Sequence, residues 1–313
     1  SISSAGAGIT SGGNGNVSVI GTGGSGSGGR QYGVWLQSAG GITASGMGTV
    51  TVEGTGGASS GVNNFGVNVS DANSKITSSG GAVSVTGRGG GGMGAGNFGL
   101  VLGNSGAISS GGNADITLTT DSHVGDGSES INAGTGTVTI RNRSAGTLVN
   151  LGGADVLSGS PLTLGLSSAE LNRITAGQVI VGRNDASASG NITVSSAVSP
   201  TGAANVTLLT GGDIAINAGL GATTQLTLTA GNGSSVSGSG NITAPNLLLN
   251  GPNVNYTLNT AAGNSVGTLA AANAAGLAFA NGGALTIGSV NGVNGISASG
   301  PVSVATAAGN LSL

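Results

Sequence analysis

Short segments in which apolar and polar residues alternate recur along the chain at a constant spacing. One series consists of residues 17–19 (VSV), 50–52 (VTV), 83–85 (VSV) and 116–118 (ITL), each 33 residues after the previous one. A second series with the same spacing consists of residues 32–36 (YGVWL), 65–69 (FGVNV) and 98–102 (FGLVL). A third series begins at Ile9, Ile42, Ile76 and Ile108, with spacings of 33, 34 and 32 residues. Alternation with a period of two among β-branched residues predicts β-strands, three in each unit.

A repeat of this length with three strands per unit predicts an all-β solenoid. Ankyrin repeats have the same period, but they need two helices per repeat, and no 3.6-residue periodicity is present here. Each unit is therefore expected to form one coil of a parallel β-helix, with coils stacked about 4.8 Å apart. Equivalent residues of successive units then lie directly above one another.

The spacing shortens in the second part of the chain. Residues 192–194 and 214–216 are 22 apart, and residues 226–228 and 247–249 are 21 apart. We therefore expect residues 1–130 to form a solenoid with 33-residue coils and glycine-rich loops, and residues 131–313 to continue it in coils of about 20–22 residues.

Two segments of the second part favour helix over strand. Ser167 and Glu170 have the spacing of a capping box, which predicts a short helical turn near residues 167–174. The alanine-rich segment 269–280 is a second, weaker helical candidate.

Three glycine-rich loops interrupt the strands at equivalent positions. They are residues 21–30 (GTGGSGSGGR), 54–63 (GTGGASSGVN) and 87–96 (GRGGGGMGAG), here called the first, second and third loop. Because the flanking strands are held by neighbouring coils, we expect the loops to be ordered and stacked, with hydrogen bonds to their neighbours or to another chain. Their glycines would provide positive φ angles and the absence of side-chain bulk.

The few aromatic residues concentrate in the second strand series. Strand alternation places Tyr32, Phe65 and Phe98 on the inward side, which predicts a ring stack inside the solenoid. Trp35 has the opposite parity and is the one aromatic residue expected as an exposed contact, for example with a sugar.

Composition and charge narrow the range of functions. Only 5% of the residues are charged, against roughly 25% in an average globular protein, and the net charge is −3. The absence of cysteine excludes disulfides and thiolate metal sites. Seven scattered basic residues give no footprint for nucleic acid, and no apolar run is long enough for a membrane-spanning helix. Since the chain begins at Ser1 rather than Met, it is expected to be a processed product or part of a longer protein.

Candidate chemistry is sparse. Positions one repeat away from Glu53 and Asp71 carry no acidic residue, so no ladder of carboxylates for polysaccharide cleavage is predicted. The glycine pattern of the third loop is followed by neither helix nor lysine, so no phosphate cradle and no cofactor are expected. Oxygen ligands from Asp121, Asp126 and Glu129 could hold calcium, although their spacing favours a solvated loop.

Parts of the second half resemble a known family. Residues 169–177 (AELNRITAG), 190–194 (GNITV) and 285–300 (LTIGSVNGVNGISASG) resemble the repeats of filamentous-haemagglutinin-like bacterial exoproteins. The resemblance implies a right-handed parallel β-helix, export through an outer-membrane transporter by a two-partner or autotransporter route, and an extracellular location at the cell surface. It implies a role in adhesion, aggregation or biofilm matrix, without catalytic residues.

These observations together predict a non-enzymatic structural or adhesive β-solenoid in a bacterial surface fibre. Neighbouring copies and surface glycans are the expected partners. One alternative is a carbohydrate-binding adhesin that uses the glycine-rich loops or Trp35. Less favoured alternatives are a polysaccharide-degrading β-helix and an ice-binding solenoid that uses the outward ladder of Ser18, Thr51, Ser84 and Thr117.

Overall fold

Stacked repeat units give this chain long parallel sheets. In a computed structural model, residues 1–2, 6–91, 95–260 and 263–313 are described. The strands of the first four coils are β1 (Gly8–Ser11), β2 (Val17–Thr22), β3 (Val34–Leu36), β4 (Gly41–Ala44), β5 (Val50–Thr55), β6 (Val67–Ser70), β7 (Lys75–Ser78), β8 (Val83–Arg88), β9 (Leu100–Gly103), β10 (Ala107–Ser110), β11 (Ile116–Thr120) and β12 (His123–Gly125). They form three stacks, β1-β4-β7-β10, β2-β5-β8-β11 and β3-β6-β9-β12.

The remaining elements continue the solenoid. They are β13 (Ser130–Asn132), β14 (Thr137–Arg141), β15 (Leu148–Leu151), β16 (Thr163–Leu166), α1 (Ser168–Leu171), β17 (Ile174–Arg183), β18 (Ile192–Val194), β19 (Ala203–Thr210), β20 (Ile214–Ile216), β21 (Leu220–Gly221), β22 (Gln225–Thr229), β23 (Ser235–Ser237), β24 (Ile242–Asn250), β25 (Val254–Leu258), β26 (Ser265–Asn281), β27 (Leu285–Ile287), β28 (Ser289–Val290), β29 (Val293–Asn294), β30 (Ile296–Ala298), β31 (Val302–Thr306) and β32 (Leu311–Ser312). Among the described strands, only β28 and β29 pair antiparallel. The chain is a parallel β-helix, as its repeats predict.

The strand register confirms the 33-residue coil. Val17 pairs with Val50, and Val50 pairs with Val83, so one repeat is one turn of the solenoid. The spacing falls to 23 residues between Leu100 and His123, where the coils begin to shorten.

Later coils have the predicted shorter spacing, with one large exception. Ile192 pairs with Ile214, and Leu226 pairs with Leu247, as their sequence spacing indicates. Between Val149 and its partner Ile192, however, the chain makes a detour that includes β16 and α1. We call residues 152–171 the excursion. It interrupts the repeat and covers one side of the solenoid.

The interior consists of columns of apolar side chains, one residue from each coil. One column runs through Val17, Val50, Val83, Ile116, Val138, Val179, Val206, Leu226, Leu247 and Leu269. None of these side chains is more than 5% exposed. Burying each one contributes roughly 1.5–3 kcal/mol relative to an exposed position, so the columns are the main source of stability.

The short helix was predicted correctly, and the second one was not. The Ser167 hydroxyl accepts the N–H of Glu170, and the Glu170 carboxylate accepts the N–H of Ser167, which is the predicted capping box. The segment 269–280 lies instead within the 17-residue strand β26 (Ser265–Asn281). Its alanines favour helix locally, but the strand pairs with β24, β25, β30 and β31, and these pairings override that preference.

In the described residues there is no helix long and apolar enough to cross a membrane.

Truncating one interior side chain should destabilise the solenoid. Leu118 is fully buried, so Leu118→Ala is expected to lower the free energy of unfolding by about 2–5 kcal/mol through lost burial and a cavity. Ile20 is 75% exposed, and Ile20→Ala should change it by less than about 0.5 kcal/mol. Urea denaturation followed by circular dichroism measures both, and equal effects would contradict the assigned interior.

Candidate functional site

The three glycine-rich loops stack through backbone hydrogen bonds. The N–H of Gly23 in the first loop donates to the carbonyl of Thr55 in the second, at 2.8 Å. The N–H of Gly56 donates to the carbonyl of Arg88 in the third, also at 2.8 Å. The predicted bonding between loops is thus confirmed where the loops are described, while residues 92–94 lie outside the described residues.

A buried asparagine joins the loops at their ends. The Asn64 side-chain carbonyl accepts the N–H of Gln31 at 2.9 Å, and its amide donates to the carbonyl of Gly61 at 2.8 Å. The N–H of Asn64 in turn donates to the side-chain carbonyl of Asn97 at 2.9 Å. Sequence reasoning missed this ladder, although the 33-residue spacing of the two asparagines was available as a signal.

Close backbone approach, rather than positive φ, explains most glycines in these loops. The left-handed conformation occurs once per loop at equivalent positions, Arg30 (φ 60°), Asn63 (φ 59°) and Gly96 (φ 73°). Only the third of these is glycine, so the expectation that the glycines supply positive φ was wrong for the others. At Gly57, a Cβ atom would collide with the carbonyl oxygen of Gly24 in the adjacent loop.

This packing predicts opposite outcomes for two alanine substitutions. Gly57→Ala should destabilise the protein by about 1–3 kcal/mol, because the loops must move apart to admit the methyl group. Gly26→Ala is the matched control, since a Cβ there would meet no atom within 4 Å. Urea denaturation of both variants provides the comparison. A Gly57→Ala variant as stable as the Gly26→Ala variant would contradict tight stacking.

The aromatic residues form a column on the outside of the solenoid. The rings of Tyr32 and Phe65 are stacked, with centroids 5.1 Å apart and planes at 6°, and the Phe98 ring follows at 6.3 Å and 52°. All three side chains are half-buried, so their predicted interior location was wrong. The chain bends at Gly33 and strand alternation begins only at Val34, so the parity of the strand does not extend to the ring.

Trp35 lies beside this column on the outer face of β3. Its ring meets Tyr32 edge-on at 4.9 Å and 79°, and its Nε1 donates to the Ser70 hydroxyl at 3.4 Å. Outward positions in register with it are Asn68, Val101 and Val124. A cavity of about 360 Å³ on this face is lined by Tyr32, Trp35, Asn68, Ser70, Asn104 and Asp126, among others. The side chain is half-buried, so part of Trp35 remains available for contact, as predicted.

A second cavity of about 430 Å³ adjoins the first, and Val124 and Gly125 line both. We call it the His123 cavity; its main side chains are Phe98, His123, Asp155, Leu157, Ser167 and Glu170. The outer face of β3, β6, β9 and β12 together with both cavities is called the axial groove. Sequence reasoning missed His123, Asp155 and Glu170 as a group, because the last two belong to the excursion and have no counterpart in the repeats.

The two carboxyl groups of the His123 cavity hold the excursion against the coil. Asp155 accepts the N–H groups of Gly165 at 2.7 Å and of His123 at 3.1 Å. Glu170 accepts the N–H of Gly125 at 2.9 Å in addition to its bonds within the capping box. The surroundings are dry enough to shift two protonation equilibria. Burial raises the pKa of Asp155 to about 7, with a contribution from the Glu170 charge, and burial lowers the pKa of His123.

The raised pKa of Asp155 predicts a pH-dependent stability. The folded state keeps the Asp155 proton up to about pH 7, whereas the unfolded chain releases it near the ordinary value of 3.8. The contribution of Asp155 to stability is therefore full below pH 3.8 and is lost as pH rises to about 7, by at most about 1.4 kcal/mol per pH unit. Urea denaturation between pH 4.5 and 7.5 should show this slope in the wild type and not in Asp155→Asn. An unchanged slope in the variant would contradict the assignment.

The calcium hypothesis was wrong for the three acidic residues that carried it. Asp121 accepts the N–H groups of Arg143 and Ser144, at 2.9 and 2.8 Å, and so braces the next coil. Asp126 binds the next loop, and Glu129 is buried and accepts a local N–H. Within the described ranges, no three His, Cys, Asp or Glu side chains are grouped in a way that could hold a metal ion.

The outward Ser/Thr ladder is not a uniform array. The register continues from Thr117 to Thr139 and then reaches Ile180. A regular threonine surface of the kind that prompted the ice-binding alternative therefore does not extend along the solenoid.

Comparisons with the profiles of protein families, with curated proteins and with solved structures found no match. The fold and the site together define a parallel β-solenoid with an aromatic axial groove on its outer face.

Proposed function

We propose that this chain is a non-enzymatic, extracellular structural and adhesive β-solenoid, a segment or subunit of a bacterial surface fibre. The observation that carries the proposal is the axial groove, where half-buried aromatic rings and amide side chains line the outside of a continuous stack of coils. The stack is a rigid support, because each coil is hydrogen-bonded to the next along its strands. With 5% charged residues, the surface presents little electrostatic repulsion to neighbouring copies.

Two further observations support this assignment. The carboxylates of Asp155 and Glu170 already accept backbone N–H groups, which is a bracing role and not that of a catalytic pair. The resemblance of residues 169–177, 190–194 and 285–300 to filamentous-haemagglutinin-like exoproteins supports export through an outer-membrane transporter and a location at the cell surface.

A carbohydrate ligand is the second candidate function, favoured by the surroundings of Trp35. Its indole and the Tyr32 ring offer apolar faces, while Asn68, Ser70 and Asn104 offer hydrogen-bonding groups in the same cavity. Ligand sites commonly combine apolar and aromatic walls with a few polar groups that fix orientation. The open, elongated groove suits a glycan chain that lies along the solenoid axis.

Adhesion can be tested with beads that carry the purified chain. We expect the beads to bind to glycan-coated surfaces, or to one another, and we expect Trp35→Ala to weaken glycan retention about tenfold, as for an aromatic residue at the centre of a contact. Met47→Ala is the control, because Met47 is exposed and lies outside the groove. A glycan array followed by a bead-retention assay measures both variants.

The outcomes separate the candidate functions. Glycan retention lost only in Trp35→Ala supports the carbohydrate-binding form, whereas aggregation of beads without glycan selectivity supports the structural form. Beads that neither adhere nor aggregate would refute the proposal. Cleavage of a polysaccharide by the purified chain would refute its non-enzymatic part.

A further inference from the structure

The His123 cavity has an unusual balance of charge. Two carboxyl groups, from Asp155 and Glu170, line it, and none of the described residues that line it is lysine or arginine. Burial already disfavours the charged form of Asp155, and the charge of Glu170 disfavours it further. A bound positive charge would therefore stabilise both carboxylates.

His123 is an independent sign of a ligand in the same cavity. Its side chain is 3% exposed, and neither ring nitrogen has a hydrogen-bond partner in the part of the chain that is described. Nδ1 lies 3.6 Å from Glu170 Oε1, beyond hydrogen-bond distance. Leaving a buried polar group without a partner costs about 1–3 kcal/mol, so the free nitrogens favour a ligand with polar hydrogens.

The protein groups in the cavity favour an organic cation over a metal ion. The carboxylate oxygens already accept N–H groups of Gly165, His123 and Gly125, and each oxygen keeps lone pairs for a further directional donor. The described residues contain no group of three metal-binding side chains. An ammonium group donates three hydrogen bonds and meets these requirements.

Phe98 adds a second preference for a cation. It is the last of the three stacked rings, tilted against Phe65 on one side, and it also lines the His123 cavity. An ammonium group over an aromatic face is attracted by about 0.5–2 kcal/mol. The volume of about 430 Å³ and the continuity with the Trp35 cavity leave room for the rest of a sugar ring.

We propose that the His123 cavity binds the protonated amine of a hexosamine, with Asp155 and Glu170 as acceptors, Phe98 beneath the cation and the sugar ring directed along the axial groove. This inference rests on the proposed glycan-binding role of the groove. Its test uses small ligands in solution and can fail independently of bead adhesion.

The test is a calorimetric titration with three ligands at pH 6.5. D-glucosamine should bind, while N-acetyl-D-glucosamine should bind at least about tenfold more weakly, because it lacks the charge that pairs with the carboxylates. Nα-acetyl-lysine amide, which presents an ammonium group without a sugar, should also bind more weakly than glucosamine. Glucosamine should further lower the pKa of Asp155 in a carboxyl-carbon NMR titration, since binding favours the ionised form.

Three variants complete the test. Asp155→Asn should weaken glucosamine binding about tenfold, and Phe98→Leu should weaken it severalfold while it keeps an apolar side chain at a half-buried position. Asp213→Asn is the matched control, since Asp213 also accepts a backbone N–H of the next coil, from Ser235 at 2.8 Å, but lies outside the cavity. Wild-type affinity in both cavity variants would overturn the proposal. So would equal binding of glucosamine and its N-acetyl form, or tighter binding of the lysine derivative.

Discussion

The backbone hydrogen-bond ladder between parallel coils is the constraint on which the rest of this structure depends. Since each strand pairs in register with its equivalent one coil away, every residue is placed against the residue at the same position of the next coil. Apolar positions become buried columns, and loops that leave the coil at the same point must stack. The ladder explains why Gly57 and Gly24 approach so closely that neither can carry a side chain toward the other. A glycine content that would disorder an isolated segment is here a requirement of the stack.

Polar side chains extend this ladder beyond the ends of the strands. Side-chain oxygens of Asn14, Asn16, Asn113, Asp115, Asn191 and Asp213 each accept a backbone N–H from the following coil. Turns leave such N–H groups without strand partners, and asparagine and aspartate are suited to accept them. Much of the small acidic content therefore serves the backbone. This use accounts for the failure of the calcium hypothesis, because Asp121 is one of these acceptors.

The sequence predicts the parts of the fold that repeat and misses the parts that do not. The strands and coil lengths of the first part follow from the 33-residue spacing, because each column was sampled several times in the chain. The location of the aromatic column does not follow, since the bend at Gly33 ends the strand alternation that was used to place Tyr32. For the segment 269–280, alanine content indicates helix, but the long strand β26 gains partners on both sides that a local preference cannot reveal. The His123 cavity escaped prediction for a related reason, as Asp155 and Glu170 come from an insertion that occurs once.

The position of the candidate site follows from the same constraint. A strictly repeating solenoid presents equivalent positions to solvent every coil, about 4.8 Å apart, and offers little that distinguishes one coil from another. Selective recognition requires a place where the repeat fails. Here the spacing shortens between Leu100 and His123, the stack of β3, β6, β9 and β12 ends, and the excursion folds over the edge that remains. The regular coils supply a straight, aromatic-lined approach, and the irregular coil supplies the concave end with its charged and titratable groups. The irregularity that obscures the repeat is therefore the feature that gives this solenoid a specific binding site.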